Sequence, residues 1–251
     1  MNRTATQFLF MLALFIPMGQ PVLGADAKSE HARWQLVGHE LQLVDEQKAV
    51  RKMFSLSRLF KNKVWRETNA FVSDTGLYAA VGEAQMGSAS STSTLTFLDT
   101  NGTTVWAMKA VDLTRVLIAN DGARTLLVTS IPDVCSEEDE ICSKTVVLLD
   151  EAGHPVAKFG PYRIIDGISL TKNGKYGYAS VWKLGIKGNQ HIFFNAAGRV
   201  LTPKGLTKIP GAPTLQEDGT IEFIELHYAP HEKGKVPKVV RSEVVNKFKL
   251  E

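Results

Sequence analysis

Two cysteines are all that the 251 residues contain. Neither a thiolate-built zinc cluster nor a disulfide-dense scaffold is therefore available. Excess charge is equally scarce: 29 basic and 26 acidic residues leave a net +3. With no cluster of Lys and Arg interleaved with aromatics, a nucleic-acid partner is excluded. A membrane-spanning helix needs about 20 apolar residues. The longest apolar run, Phe8 to Met18, has 11 and includes Pro17. Gly-x-Ser-x-Gly, the phosphate loop and His-Glu-x-x-His are all missing, which removes the sequence basis for the machineries they mark. No cofactor is implied. What remains, with 44% hydrophobic and 22% charged residues, is the composition of a globular chain.

What the sequence does have is a repeated turn. Leu95-Thr-Phe-Leu-Asp-Thr-Asn-Gly-Thr-Thr-Val-Trp106 places two β-rich runs around Asp99-Thr-Asn-Gly102. That arrangement reads as a tight hairpin with the glycine at positive φ. The pattern recurs at Asp150 with Gly153 and at Asn195 with Gly198, and a weaker copy at Asp45 lacks the glycine. The four Asp/Asn positions lie 54, 51 and 45 residues apart, the period of a propeller blade. A second series, Gly76, Gly122, Gly174 and Gly219, has spacings of 46, 52 and 45. Each of its turns also separates two short apolar runs. Two turn series in phase give a unit of two hairpins, hence four antiparallel strands.

The expected fold is all-β, a small propeller-like array of about four antiparallel four-stranded blades. The last unit, from Gly205, lacks its second hairpin. One way to complete it is ring closure by the amino-terminal hairpin, with Leu41, Leu43 and Val50 packed beside Leu215, Ile221 and Phe223. An open stack, or half of a ring completed by a second chain, are the alternatives. Val239 to Val245 is then an outer strand or a short helix.

Residues 1–27 read as a secretory signal: Asn2-Arg3, then the short apolar run, then the small-x-small site Ala25-Asp-Ala27. Residues 28–251 form one domain, exported and not membrane-spanning, in the periplasm or outside the cell. In an oxidising compartment Cys135 and Cys142 are expected to pair and close an eight-residue loop.

Strand alternation sends the Asp/Asn-Gly turns to one end of every unit and the remaining loops to the other. Those other loops differ: Gly82 to Thr94 is Ser/Thr-rich, Ile131 to Lys144 acidic, Lys183 to Gln190 basic, and His227 to Pro237 rich in His, Pro and Lys. Variable loops on a rigid scaffold are where recognition concentrates. Glu137 to Glu140 lacks the alternating spacing of a calcium loop. His227 and His231 are four apart, but Pro230 between them rules out the helical zinc pairing. No metal site is expected. Asp112, Asp166 and Glu222 are the acids available to a hydrolase. Trp65, Trp106 and Trp182 read as blade-packing residues.

Between Leu41 and Leu226 the units resemble the β-propeller superfamily. Leu98 to Trp106 is similar to the Asp…Gly…Trp turn of pyrroloquinoline-quinone-type propellers and of non-catalytic assembly-factor propellers of the bacterial envelope. Asp74-Thr-Gly76 and Lys172-Asn-Gly174, each with an aromatic two residues on, resemble the turns of tryptophan–aspartate-type repeats. Ala157 and Thr202 stand where Trp106 does, and no cofactor residue carries over. The resemblance implies a binding or scaffold module for a protein or cell-envelope partner. The alternative reading is a hydrolase of carbohydrate or a similar polymer.

Overall fold

The computed structural model describes residues 32–61, 64–86, 91–130, 144–182, 190–202, 212–228 and 239–250, all within the unit His31–Glu251. Every regular element among the described residues is a strand. The first repeat is β1 (Arg33–Val37), β2 (Glu40–Val44) and β3 (Val50–Ser55), and β4 (Arg58–Lys61) leads out of it. The second holds β5 (Val64–Val72), β6 (Ala79–Met86), β7 (Ser91–Leu98) and the first part of β8 (Thr104–Ile118). The third takes the remainder of β8 with β9 (Thr125–Ser130), β10 (Lys144–Leu149) and β11 (Pro155–Tyr162). The fourth is β12 (Ile164–Leu170), β13 (Tyr176–Trp182) and β14 (Gln190–Asn195). The fifth is β15 (Ala212–Leu215), β16 (Thr220–Tyr228) and β17 (Val239–Lys249).

Among the described residues the strand pairings are all antiparallel and between neighbours in sequence. Hydrogen bonding runs β1-β2-β3, then unbroken from β4 to β11, then β12-β13-β14 and β15-β16-β17. The eight-stranded run is two repeats joined by β8. Its residues up to Ala110 pair with β7, those from Val111 pair with β9, and the register shifts between Val111 and Arg115.

Among the described residues four cores lie between successive repeats. Trp34, Leu41 and Leu43 meet Ala79, Val81 and Leu98. Leu95, Phe97 and Trp106 meet Leu127, Val147 and Leu149. Leu126, Val146 and Leu148 meet Ala179, Val181 and Phe194. Phe193 meets Ile221, Phe223 and Leu250. Neighbouring residues such as Leu126 and Leu127, or Phe193 and Phe194, thus enter opposite cores. A strand buried on both faces must be apolar at consecutive positions, and Val146-Val-Leu-Leu149 is such a strand.

The end repeats obey the other rule. In β2 Leu41 and Leu43 are buried while Glu40, Gln42 and Val44 are only partly covered. In β16 Ile221 and Phe223 are buried, and Glu222 on the opposite face pairs with Lys247 at 2.9 Å. Alternation of this kind means one face packed and one solvated. Closing a ring would bury the solvated faces, with their charges, against each other.

The sheets are accordingly not closed. Among the described residues β2 pairs only with β1 and β3, and β16 only with β15 and β17. The expected closure, with Leu41, Leu43 and Val50 beside Leu215, Ile221 and Phe223, is corrected: the amino-terminal hairpin is a repeat of its own. The fifth repeat draws its third strand from β17, which runs on to Lys249 with no helix. Phe248 pairs with Ile221, and Leu250 is buried with its amide donating to the Gly219 carbonyl.

Candidate binding surface at the loop end of the sheets

The Asp/Asn turns are built alike. Asp99 Oδ1 accepts from the amides of Asn101 (2.9 Å) and Thr103 (2.7 Å). Asp150 does so from Ala152 and His154, and Asn195 from Ala197 and Arg199. Asp45 accepts from Ala49 at 2.8 Å. Hydrogen bonds from the backbone, His154 foremost, hold the Asp150 carboxyl below its ordinary range; Ala49 and then Arg51 do the same for Asp45. Gly76, Gly102, Gly122, Gly153, Gly174, Gly198 and Gly219 all have positive φ. In the first repeat Lys48 takes that place with a φ of 64°. The turn is therefore preserved there without the glycine that makes it visible in sequence.

These turns also join one repeat to the next. Trp34 Nε1 donates to the Asp99 carbonyl (2.8 Å), Arg124 Nε to the Ala196 carbonyl (2.9 Å), and Lys52 Nζ to the Gly102 carbonyl. The second turn series forms its own chain. The Thr75 amide donates to Asn120 Oδ1 (3.3 Å), the Asn120 amide to the Lys172 carbonyl (2.7 Å), and the Lys172 amide to Glu217 Oε1 (2.7 Å). Lys172 Nζ also reaches Asp74 at 3.1 Å. The turn end thus spends its polar groups on itself.

The other end is different. On the second repeat, beside the connection that leads out of the first, lies an open recess of about 530 Å³, lined by Ser57, Arg66, Thr68, Glu83, Gln85 and Thr94 among others. Its floor follows from register: Thr68 stands opposite Glu83, Glu83 opposite Thr94, and Arg66 opposite Gln85. These residues continue the face on which Ala70, Val72, Ala79 and Val81 pack against the first repeat. Beyond the point where that repeat ends, the face turns from apolar to polar. Arg66 and Glu83 are both exposed, and neither makes a hydrogen bond or ion pair among the described residues.

No protein-family model matches the chain. No curated protein matches it either. Solved structures do. The β-propeller domain of the Trilobed protease from Pyrococcus furiosus is 10% identical, with a TM-score of 0.45 over 73% of this chain and 58% of that one. TolB from Acinetobacter baumannii is 16% identical, with a TM-score of 0.38 over 80% of this chain and 45% of that one. A structure from a study of two prolyl endopeptidases is 16% identical, with a TM-score of 0.45, covering 85% of this chain and 35% of that one. The chain thus spans less than two thirds of the length of each of these three. The set holds peptidases beside TolB, and it assigns no activity.

Of the acids available to a hydrolase, Asp166 lies on β12 and Glu222 on β16, in different sheets. Asp166 accepts from the indole of Trp182 at 2.8 Å. Glu222 lies on the last sheet, where Lys247 keeps its carboxyl below the ordinary range and hence ionised. The Asp112 side chain lies outside the described residues. Trp106 is buried and stacks on Phe97 at 4.9 Å, whereas Trp182 is 43% exposed and so is not a packing residue; the Trp65 side chain is not described.

Of the expected loops, Gly82 to Thr94 is mostly strand, because β6 and β7 run on to Met86 and from Ser91. Its β-branched Thr92, Thr94 and Thr96 suit a pleated surface. Residues 131–143, which hold Cys135 and Cys142, lie outside the described residues, as do 183–189 and 229–238 with His231. His227 falls on β16 beside Glu225 and Glu243. Sequence reasoning missed both the recess and this cluster. The available signal was Arg66, Glu83 and Gln85 placed at strand ends where apolar residues would be expected.

Among the described residues no helix is long and apolar enough to cross a membrane.

Proposed function

We propose that the chain is an exported, non-catalytic binding or scaffold module that offers the loop end of its sheets to a protein or cell-envelope partner. The observation that carries this reading is the contrast between the two ends. Groups of the turn end are bonded to one another, while the loop end holds a recess with exposed Arg66 and Glu83, which make no hydrogen bond or ion pair among the described residues. An interface rim needs free donors and acceptors of both signs on a scaffold that does not move to meet them. Residues 1–27 are the export signal in this reading, and Cys135 with Cys142 forms a structural staple in the oxidising compartment.

Site-specific photo-crosslinking in the producing cell tests it. A crosslinker at Gln85 should trap one discrete partner, and the trapping should be lost with Arg66→Glu and Glu83→Lys combined. A crosslinker at Asn101, exposed at the turn end, should trap none. Equal trapping from both positions, or trapping that survives the charge reversal, would overturn the assignment.

A further inference from the structure

The geometry points to a divalent-metal site on the last sheet, with Glu225, His227 and Glu243 as ligands and zinc as the fitting ion. Glu225 and His227 are two apart on β16, so both side chains leave the same face of the strand. In the register of β16 with β17, Glu225 stands opposite Glu243 and His227 opposite Arg241. One ligand atom from each of Glu225, His227 and Glu243 lies within 4.8 Å of the other two. His227 Nε2 and Glu243 Oε1 are 3.6 Å apart. Ligands bound at about 2.1 Å in a tetrahedral site stand about 3.4 Å from each other. This edge of the site is therefore already at coordination distance, and the glutamate of β16 has only a rotamer adjustment to make.

Without a cation the arrangement is poorly compensated. Two carboxylates directly opposite on adjacent strands repel. Arg241 engages Glu243 through Oε2, which leaves Oε1 turned to the imidazole. Glu225 has no partner among the described residues. His227 Nε2 is a buried atom with no hydrogen-bond partner, although the ring itself is partly exposed. A ring nitrogen without a hydrogen bond, 3.6 Å from one carboxylate and clustered with a second, supplies the donor types of a metal site, and two negative charges balance one divalent ion. Calcium and magnesium take oxygen ligands, whereas imidazole with carboxylates suits zinc. Three protein ligands leave a fourth position for water or for a group from a partner.

Zinc chloride added to the full-length protein, in competition with a chromophoric chelator, provides the test. One zinc per chain should bind, and the melting temperature should rise with it. His227→Ala and Glu243→Gln should each weaken binding by about tenfold or more. Arg241→Gln, which removes a neighbouring positive charge, should tighten it. Glu222→Gln, on the opposite face of the same strand, should leave it unchanged. Glu225→Gln is the conservative variant should His227→Ala fail to fold, and its metal-free melting temperature should be at or above that of wild type, since one of the two opposed charges is gone. Zinc binding that survives both Glu243→Gln and Glu225→Gln, or that calcium displaces on equal terms, would overturn the site.

Discussion

Gly153→Ala should destabilise the protein by about 2–5 kcal/mol, and most of the loss should come from the contact between the second and third repeats. Gly153 has a φ of 80°, a left-handed conformation that costs an L-residue roughly 1–2 kcal/mol. A Cβ there would lie 2.7 Å from Cγ and Cδ2 of Trp106 in the preceding repeat. The indole cannot retreat, because it is stacked on Phe97 with ring centroids 4.9 Å apart and planes 5° from parallel. Forcing one carbon into such a contact typically adds about 1–3 kcal/mol. Gly38 is the internal reference: its φ is 59°, and nothing lies within 4 Å of a Cβ built on it. Gly38→Ala should therefore show the backbone cost alone. Urea unfolding of the two variants, compared by their midpoints, separates the contributions. In a Trp106→Leu background the gap should shrink, since the obstacle is gone. Equal midpoints for Gly153→Ala and Gly38→Ala in the wild-type background would show that the repeats stack with slack, and the packing argument would fail.

Lys48→Gly should stabilise by up to about 1 kcal/mol, the relief of a left-handed lysine less the added freedom of the unfolded glycine, read from the urea midpoint. A chain ending at Val245 should lose Phe248 and the buried Leu250 from the last core, with a drop of roughly 3 kcal/mol or more and aggregation from the shortened edge; an unchanged melting temperature would refute this. Stability should fall on acidification below about pH 5. Lys249, then Thr220, holds the Asp218 carboxyl below its ordinary 3.8, and Lys247 holds Glu222 below 4.5. A carboxyl depressed by folding stabilises above its unfolded pKa and loses that contribution as pH falls towards the folded value. Lys247→Met with Lys249→Met should flatten the melting-temperature profile between about pH 5 and pH 3, and an undiminished slope would exclude these pairs as its source.

The turns were legible in the sequence because they are local. An Asp or Asn whose side chain accepts amides two and four residues on, followed by a glycine at positive φ, needs nothing from the rest of the chain. All seven glycines of the two series have that conformation. The one turn without a glycine looked weak because Lys48 supplies the left-handed residue, held there by a carboxylate, Asp45, that accepts the Ala49 amide. Even the openness of the array was written in the strands. Leu41-Gln-Leu43 and Ile221-Glu-Phe223 alternate, whereas Val146 to Leu149 does not, and only a sheet at the end of a stack can leave one face polar.

Register and side-chain neighbours belong to the tertiary structure. Arg66, Glu83 and Thr94 become the wall of one recess only because three strands align them past the end of the first repeat. Glu225 meets Glu243 only because the β16–β17 pairing shifts register between Phe223 and Ile224. A shift of one residue without that bulge would carry Glu243 to the opposite face, since side chains alternate with a period of two. Turn chemistry is decided within four residues and survives any context; which side chains face each other is decided by pairing between distant strands, and there the folded chain alone has the information.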